Sequence, residues 1–180
     1  SALNIVNTAK GTFFLADTLV NNHPSVETLE EIVKLTNDSV KIFNVDPVIA
    51  MLSYSNFGAD NTGSPVTVHK AVENLHKNHP EILVDGEMQV NFALDKDLRS
   101  ATYPFSKLEG KDVNTLIFPN LSSANITYKT LLSMGLAENV GPVQMGLKKP
   151  IYVCEPEASV RDIMNIVTIA VIDAQINGKK

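Results

Sequence analysis

Short apolar runs alternate along this chain with amphipathic stretches, joined by brief polar turns, and this order most restricts what it can fold into. Thr12-Phe-Phe-Leu-Ala16 reads as a strand, and Ser25 is placed to cap a helix in which Leu29, Ile32, Val33, Thr36, Val40 and Phe43 recur at helical spacing. Pro47 to Ser53 is a second buried-strand pattern, and Pro65 opens a helix striped by Val68, Val72 and Leu75. Ile82-Leu83-Val84 predicts a strand that stops at Asp85-Gly86, and Val113 to Phe118 another closed by Pro119-Asn120. Phe92 to Lys107 is mixed, with Tyr103-Pro104 ending any helix there. A helix to about Met134 follows, then a connection from Gly141-Pro142 to Gly146, a strand from Pro150 to Cys154, and a last helix from about Ser159 to Ile176. Such alternation predicts an α/β fold: three layers, a mostly parallel sheet with helices on both faces. Ligands of such sheets bind beyond the carboxyl ends of the strands.

The last helix carries Ile163, Met164, Ile166, Val167, Ile169, Val171 and Ile172, too many apolar residues for one face. It should be buried on more than one side, while Arg161, Asp162, Asn165 and Asp173 interrupt it too often for a membrane span. Composition narrows the function classes. The 44% apolar and 19% charged content is globular, and a net charge of -5 with scattered lysines argues against nucleic acid as a partner. The single cysteine, Cys154, cannot form an internal disulfide and reads as an inert core thiol. A cytoplasmic setting without membrane association is expected. The start at Ser1-Ala2 suggests a piece excised from a longer polypeptide.

Chemistry is sparse. His23, His69, His76 and His79 show no metal spacing and read as solvated residues, and no metal site is expected. Gly-x-Gly-x-x-Gly, Walker and Gly-x-Ser-x-Gly motifs are all missing from the sequence. The loop Ser53-Tyr54-Ser55-Asn56-Phe57-Gly58 offers hydroxyls and backbone N–H groups to a phosphate or carbonyl, or is simply a turn. Asn120, Asn125 and Tyr128 are neutral hydrogen-bonding residues near the next strand end, and Lys148-Lys149 is the basic pair inside the fold.

At these loops the sequence resembles the second half of the phosphate acetyl/butyryltransferase family. The resemblance rests on Gly11 to Asp17 with Pro24, Ala50 to Ser55, Val84-Asp-Gly86 with Gln89, Phe118 to Leu121 with Asn125 and Tyr128, and Gly141-Pro142 through Lys149-Pro150. It implies a doubly wound fold, a cleft between two subdomains and a coenzyme A thioester as ligand. It makes Ser55, Asn56, Asn125, Tyr128, Lys149 and Asp162 the candidate ligand-binding residues. Active members follow the Lys-Pro strand with a Ser-Arg pair that polarises the thioester carbonyl and holds phosphate, then an Asp that assists thiol deprotonation. Aligned from Lys149-Pro150, the pair falls on Glu155 and Pro156, and the Asp on Asp162. A carboxylate repels phosphate and proline brings no donor, so no catalytic residues are expected.

Ser55 to Gly58, Asp85 to Met88, Ala124-Asn125 and Ser159-Val160-Arg161 with Asn165 are similar to the branch of this superfamily appended to large bacterial NADP-dependent malic enzymes. That resemblance implies a regulatory and oligomerisation domain, responsive to acetyl-CoA and inactive in acyl transfer. NADP and a divalent metal would belong to upstream domains, with no cofactor held here. It divides the chain into residues 1–158, an α/β subdomain, and residues 159–180, a helix packing on a first subdomain or on a partner chain. A homo-oligomer, at least a dimer, is expected, with the last helix covered by another copy. The alternatives are an active phosphate acetyltransferase and a pure oligomerisation module.

Overall fold

The structure, a computed structural model, describes residues 1–147, 149, 151–154 and 158–177. The element order is β1 (Ala2–Thr8), β2 (Gly11–Ala16), α1 (Val26–Ile42), β3 (Ile49–Leu52), α2 (Ser64–Asn78), β4 (Val84–Met88), α3 (Val90–Leu94), α4 (Lys96–Thr102), β5 (Thr115–Ile117), α5 (Leu121–Ser133), β6 (Ala137–Gln144) and α6 (Val160–Asn177). The sheet runs β4-β3-β5-β2-β1-β6. β2, β3, β4 and β5 pair in parallel, and only β1 is reversed, pairing antiparallel with β2 and with β6. The predicted mostly parallel, helix-flanked sheet is therefore what the chain forms.

Alternating side chains on the strands build two cores. Leu3, Ile5, Phe14, Ile49 and Met51 meet α1 and α2 on one face, whereas Val6, Leu15, Ala50, Leu52 and Leu116 meet α3 and α5 on the other. α1 follows its sequence pattern closely: the Ser25 hydroxyl accepts from the Thr28 N–H at 3.2 Å, and Leu29, Ile32, Val33, Thr36 and Val40 are buried. α6 packs along edge strand β6 through Ile166 and Ile169, both buried, while Val160, Ile163, Met164, Val167 and Val171 stay exposed.

Three local expectations are corrected, and one strand goes unannounced in the sequence. Asn4 and Asn7 interrupt the apolar run of β1, yet Asn4 is fully buried and donates to Thr18 Oγ1 at 3.2 Å. β4 does not stop at Asp85-Gly86 but runs through to Met88, because the carboxylates of Asp85 and Glu87 find distant partners inside the fold. Gly141-Pro142 lies within β6 rather than in a connection, which an edge strand tolerates. Between Ile151 and Cys154 there is only a single bridge, Tyr152 to Val143, and Cys154 is exposed rather than a core thiol. Lys148, Pro150, Glu155, Pro156 and Glu157 lie outside the described residues, and with them the positions assigned to the catalytic pair.

Candidate functional site

The carboxyl ends of β2, β3, β4 and β5 gather the loops that the sequence singled out. At β2, Asp17 is buried and its Oδ1 accepts from the backbone N–H groups of Ala2 at 3.0 Å, Leu19 at 3.2 Å and Val20 at 3.2 Å, with Oδ2 taking Asn21. This carboxylate shapes its own loop and is spent on it. At β3, the loop Ser53 to Gly58 is tied to β4: Asn56 Oδ1 accepts from the Gln89 N–H at 2.8 Å, and Gly58 N–H donates to Glu87 Oε1 at 2.7 Å. Ser55 is buried and its hydroxyl accepts from the Asp60 N–H at 3.1 Å. Both Ser55 and Asn56 thus serve the loop's own architecture. Phe57 holds a φ of 47°, and its ring sits 4.8 Å from that of Tyr103 and 5.1 Å from that of Phe105. A bulky residue in the left-handed region needs such packing to stay there.

His69 and His76 are not the solvated residues the sequence predicted, whereas His23 is exposed. His69 Nδ1 lies 2.9 Å from Oε2 of Glu87, a carboxylate with no exposed surface, and His76 Nε2 lies 2.8 Å from the Val84 carbonyl. Both tie α2 to β4, and no sequence spacing announces it because their partners come from another element.

A second constellation lies at the other end of the sheet. Tyr128 on α5, Asn139, Gly141 and Pro142 on β6, and Asp162 and Ile166 on α6 line a cleft of about 240 Å³. A second hollow of about 270 Å³, lined by Asn7, Glu138, Arg161 and Asn165, shares Asn139 and Asp162 with it. Asn125 is one turn before Tyr128, so it lies on the same face of α5. Asp162 and Ser159 form a reciprocal cap: Asp162 Oδ2 accepts from the Ser159 N–H at 2.8 Å and hydroxyl at 2.6 Å, and Ser159 Oγ accepts from the Asp162 N–H at 3.2 Å. The Ser159 hydroxyl, then its N–H, hold the Asp162 carboxyl below the usual aspartate range. That favours the carboxylate and makes it a weak base.

Lys149 does not join this cleft. It lines a separate hollow of about 310 Å³ with Phe43, Val143, Tyr152, Ile169 and Asp173. There the Tyr152 hydroxyl donates to Asp173 at 2.8 Å, and burial followed by that hydrogen bond pushes the phenol up. Ser55 and Asn56 are also remote from it. Their strand, β3, is four positions from β6, about 19 Å at the usual strand spacing. The structure thus brings Tyr128 and Asp162 together, with Asn125 one turn along α5 but outside the cleft lining, and leaves Ser55, Asn56 and Lys149 elsewhere. It adds Asn139, whose Oδ1 is buried without a hydrogen-bond donor among the described residues. No sequence motif marks Asn139. Among the described residues no three His, Cys, Asp or Glu side chains are placed to hold a metal, and no helix is long and apolar enough to cross a membrane.

A mostly parallel sheet with polar loops at its strand ends and a helix laid along its edge strand defines a phosphotransacetylase-like domain. The phosphate acetyl/butaryl transferase family matches residues 1–171, and the chain belongs to that family. It is 40% identical over 175 residues to the NADP-dependent malic enzyme of Escherichia coli (strain K12), covering 97% of this chain and 23% of that protein. It is 35% identical over 167 residues to the phosphate acetyltransferase of Clostridium acetobutylicum, covering 92% of this chain and 50% of that protein. A phosphotransacetylase from Streptococcus pyogenes superposes with a TM-score of 0.88 at 31% identity, over 100% of this chain and 54% of that one. The chain therefore spans about a quarter of the malic enzymes and about half of the phosphotransacetylases that it resembles.

Proposed function

We propose that this chain is the acetyl-CoA-responsive, transfer-inactive module of an NADP-dependent malic enzyme. In that enzyme upstream domains oxidatively decarboxylate malate to pyruvate. NADP and a divalent metal would be held by those domains. The observation that carries the proposal is a cleft beside a changed reaction centre. Tyr128, Asn139 and Asp162 line one hollow, whereas Glu155 and Pro156 stand where the resemblance puts its Ser-Arg pair. Loss of a charge clamp on a developing oxyanion costs several kcal/mol in the transition state. Ground-state binding draws on other contacts and can survive that loss. Asp162 supports the same view, since its carboxylate is engaged in capping α6 and its lowered pKa suits it poorly to take a thiol proton.

The retained Asp162 and the 35% identity to a phosphate acetyltransferase favour one rival, acetyl exchange between coenzyme A and phosphate. The full-length polypeptide decides between them. Acetyl-CoA is expected to change the rate of malate oxidation, while acetyl-CoA and phosphate yield no acetyl phosphate. Acetyl phosphate formation abolished by Asp162→Ala would replace the proposal with the rival. Malate oxidation indifferent to acetyl-CoA, with association unchanged, would leave a pure oligomerisation module.

A further inference from the structure

A third region lies at the opposite, amino-terminal ends of β2 and β5, away from every loop described above. There α3 and α5 leave part of the sheet uncovered, and a groove of about 360 Å³ opens between them. Leu15, Phe13, Leu94, Leu116, Leu131 and Leu136 line it, and Thr8 and Lys10 are its only hydrophilic side chains. Leu94 is 41% exposed and Leu136 54%, so the trough is open to water along its length. At its Lys10 end it runs into a second hollow of about 330 Å³ that shares Lys10, Phe13 and Leu94 and adds Lys96, Lys111 and Asp112. Lys96 is paired with Asp112 at 2.9 Å. The Lys10 and Lys111 ammonium groups enter no ion pair among the described residues. Lys111 is held in place because its carbonyl accepts from the buried guanidinium of Arg99.

The two hollows adjoin at Lys10, Phe13 and Leu94, the larger one aliphatic and the other lined by lysines. The aliphatic one lies within the range of small-molecule sites, about 300–1,000 Å³. We propose that the pair binds an unbranched aliphatic carboxylate, with the chain along Leu15, Leu116 and Leu131 and the carboxylate at Lys10 and Lys111. A hydrocarbon chain removes the leucine surface from water, and a single negative charge meets the two ammonium groups. A second copy of the chain is a poorer occupant. A two-fold contact would set this patch against itself and bring the basic mouths of both copies into one interface.

The test uses the full-length polypeptide and isothermal titration with hexanoate, octanoate and decanoate below their micelle concentrations. Affinity is expected to rise about fourfold per methylene until the groove is full. Decanol and decyltrimethylammonium should each bind at least tenfold more weakly than decanoate. Lys10→Glu and Lys111→Glu change exposed side chains, so they should preserve the fold by circular dichroism and each weaken decanoate at least tenfold. Acetyl-CoA should not displace decanoate. The proposal is overturned if chain length has no effect, if decanol matches decanoate, or if neither lysine variant weakens binding. Competition by acetyl-CoA would also overturn it. So would a concentration-dependent dimer that Lys10→Glu disperses and decanoate does not, since the groove would then be a contact between copies.

Discussion

Arg99 is the residue whose replacement the structure prices most directly. It is fully buried on α4, and its guanidinium donates to the carbonyls of Phe92 at 2.7 Å, Ala93 at 2.9 Å, Leu108 at 2.9 Å and Lys111. Among the described residues no carboxylate touches it: burial pulls its pKa down, and Asp112, Asp85 and Asp95 oppose this only as charges at a distance. Carbonyl dipoles therefore do the work of a counter-ion, and one side chain closes the whole stretch from α3 to the turn before β5. Arg99→Met keeps much of the volume but leaves the carbonyls of Phe92, Ala93 and Lys111 without this donor, while that of Leu108 keeps the Lys111 N–H at 3.1 Å. The bonds to Ala93 and Leu108 are buried, those to Phe92 and Lys111 part-buried and open to replacement by water. At about 1–3 kcal/mol for the buried Ala93 orphan and less for each of the other lost bonds, the loss is about 3 kcal/mol. Against a total of about 5–15 kcal/mol for a domain, that is a large share. Urea unfolding should show a midpoint lowered by about 1.5 M at unchanged slope. Hydrogen exchange should quicken first between residues 89 and 112. Arg99→Lys, with one ammonium that cannot span four carbonyls, should recover less than half of the loss. A midpoint shift below about 0.5 M for Arg99→Met would refute the idea that these carbonyls depend on the guanidinium.

Gly86→Ala should destabilise the chain by about 3 kcal/mol or more, because φ is 146° there and a Cβ would stand 2.5 Å from the Met51 carbonyl oxygen; thermal unfolding reads this. The Asp162 cap has a defined pH sign. Its carboxyl lies below the ordinary value of 3.8, so the cap is complete above that value and is lost as pH falls through the lower folded one. Amide exchange at Ile163 should accelerate in that window, and Ser159→Ala should remove the step. On α6, Val167→Glu with Val171→Glu should lower the oligomeric state seen by sedimentation, and unchanged association would show that this face is not an interface.

Legibility followed the distance over which each residue is satisfied. α1 and α2 were readable because their stripes and caps are local: Ser25 reaches only to Thr28, and Pro65 needs no donor in the first turn. β4 was cut short because Asp85 and Glu87 look like turn residues until Ser106, Lys107, His69 and Gly58 arrive from elsewhere in the chain. The same holds for Asn4 in β1, which needs Thr18. At the candidate site, the spacing of Asn125 and Tyr128 placed both on one helix face. Nothing in the sequence foretold that Asp162 would join Tyr128, because α6 reaches the cleft by lying along β6. Asp162 also looked like a lone catalytic relic, although Ser159 three residues earlier supplies the local capping partner. Lys149 sits beside its expected neighbours in sequence but opens onto the Tyr152 and Asp173 hollow.

α6 gives the proposed regulation a physical route. One side of the helix carries Asp162 and Ile166 into the cleft, and its other side exposes Val160, Ile163, Met164, Val167 and Val171 at helical spacing. A ligand in the cleft and a protein surface over the apolar stripe would therefore bear on the same rigid rod, anchored along an edge strand through Ile166 and Ile169, the Arg161–Glu138 pair and the Tyr152–Asp173 hydrogen bond. Sharing a rod is not coupling. An effector that binds equally well in two assemblies shifts neither, however tight it is. A tenfold bias needs about 1.4 kcal/mol of differential affinity, comparable to one charge-assisted hydrogen bond at the cleft made in one arrangement and lost in the other. By reciprocity, covering the stripe must change acetyl-CoA affinity by the same factor. A Val167→Glu, Val171→Glu variant that dissociates yet binds acetyl-CoA with unaltered affinity would therefore remove α6 from the route.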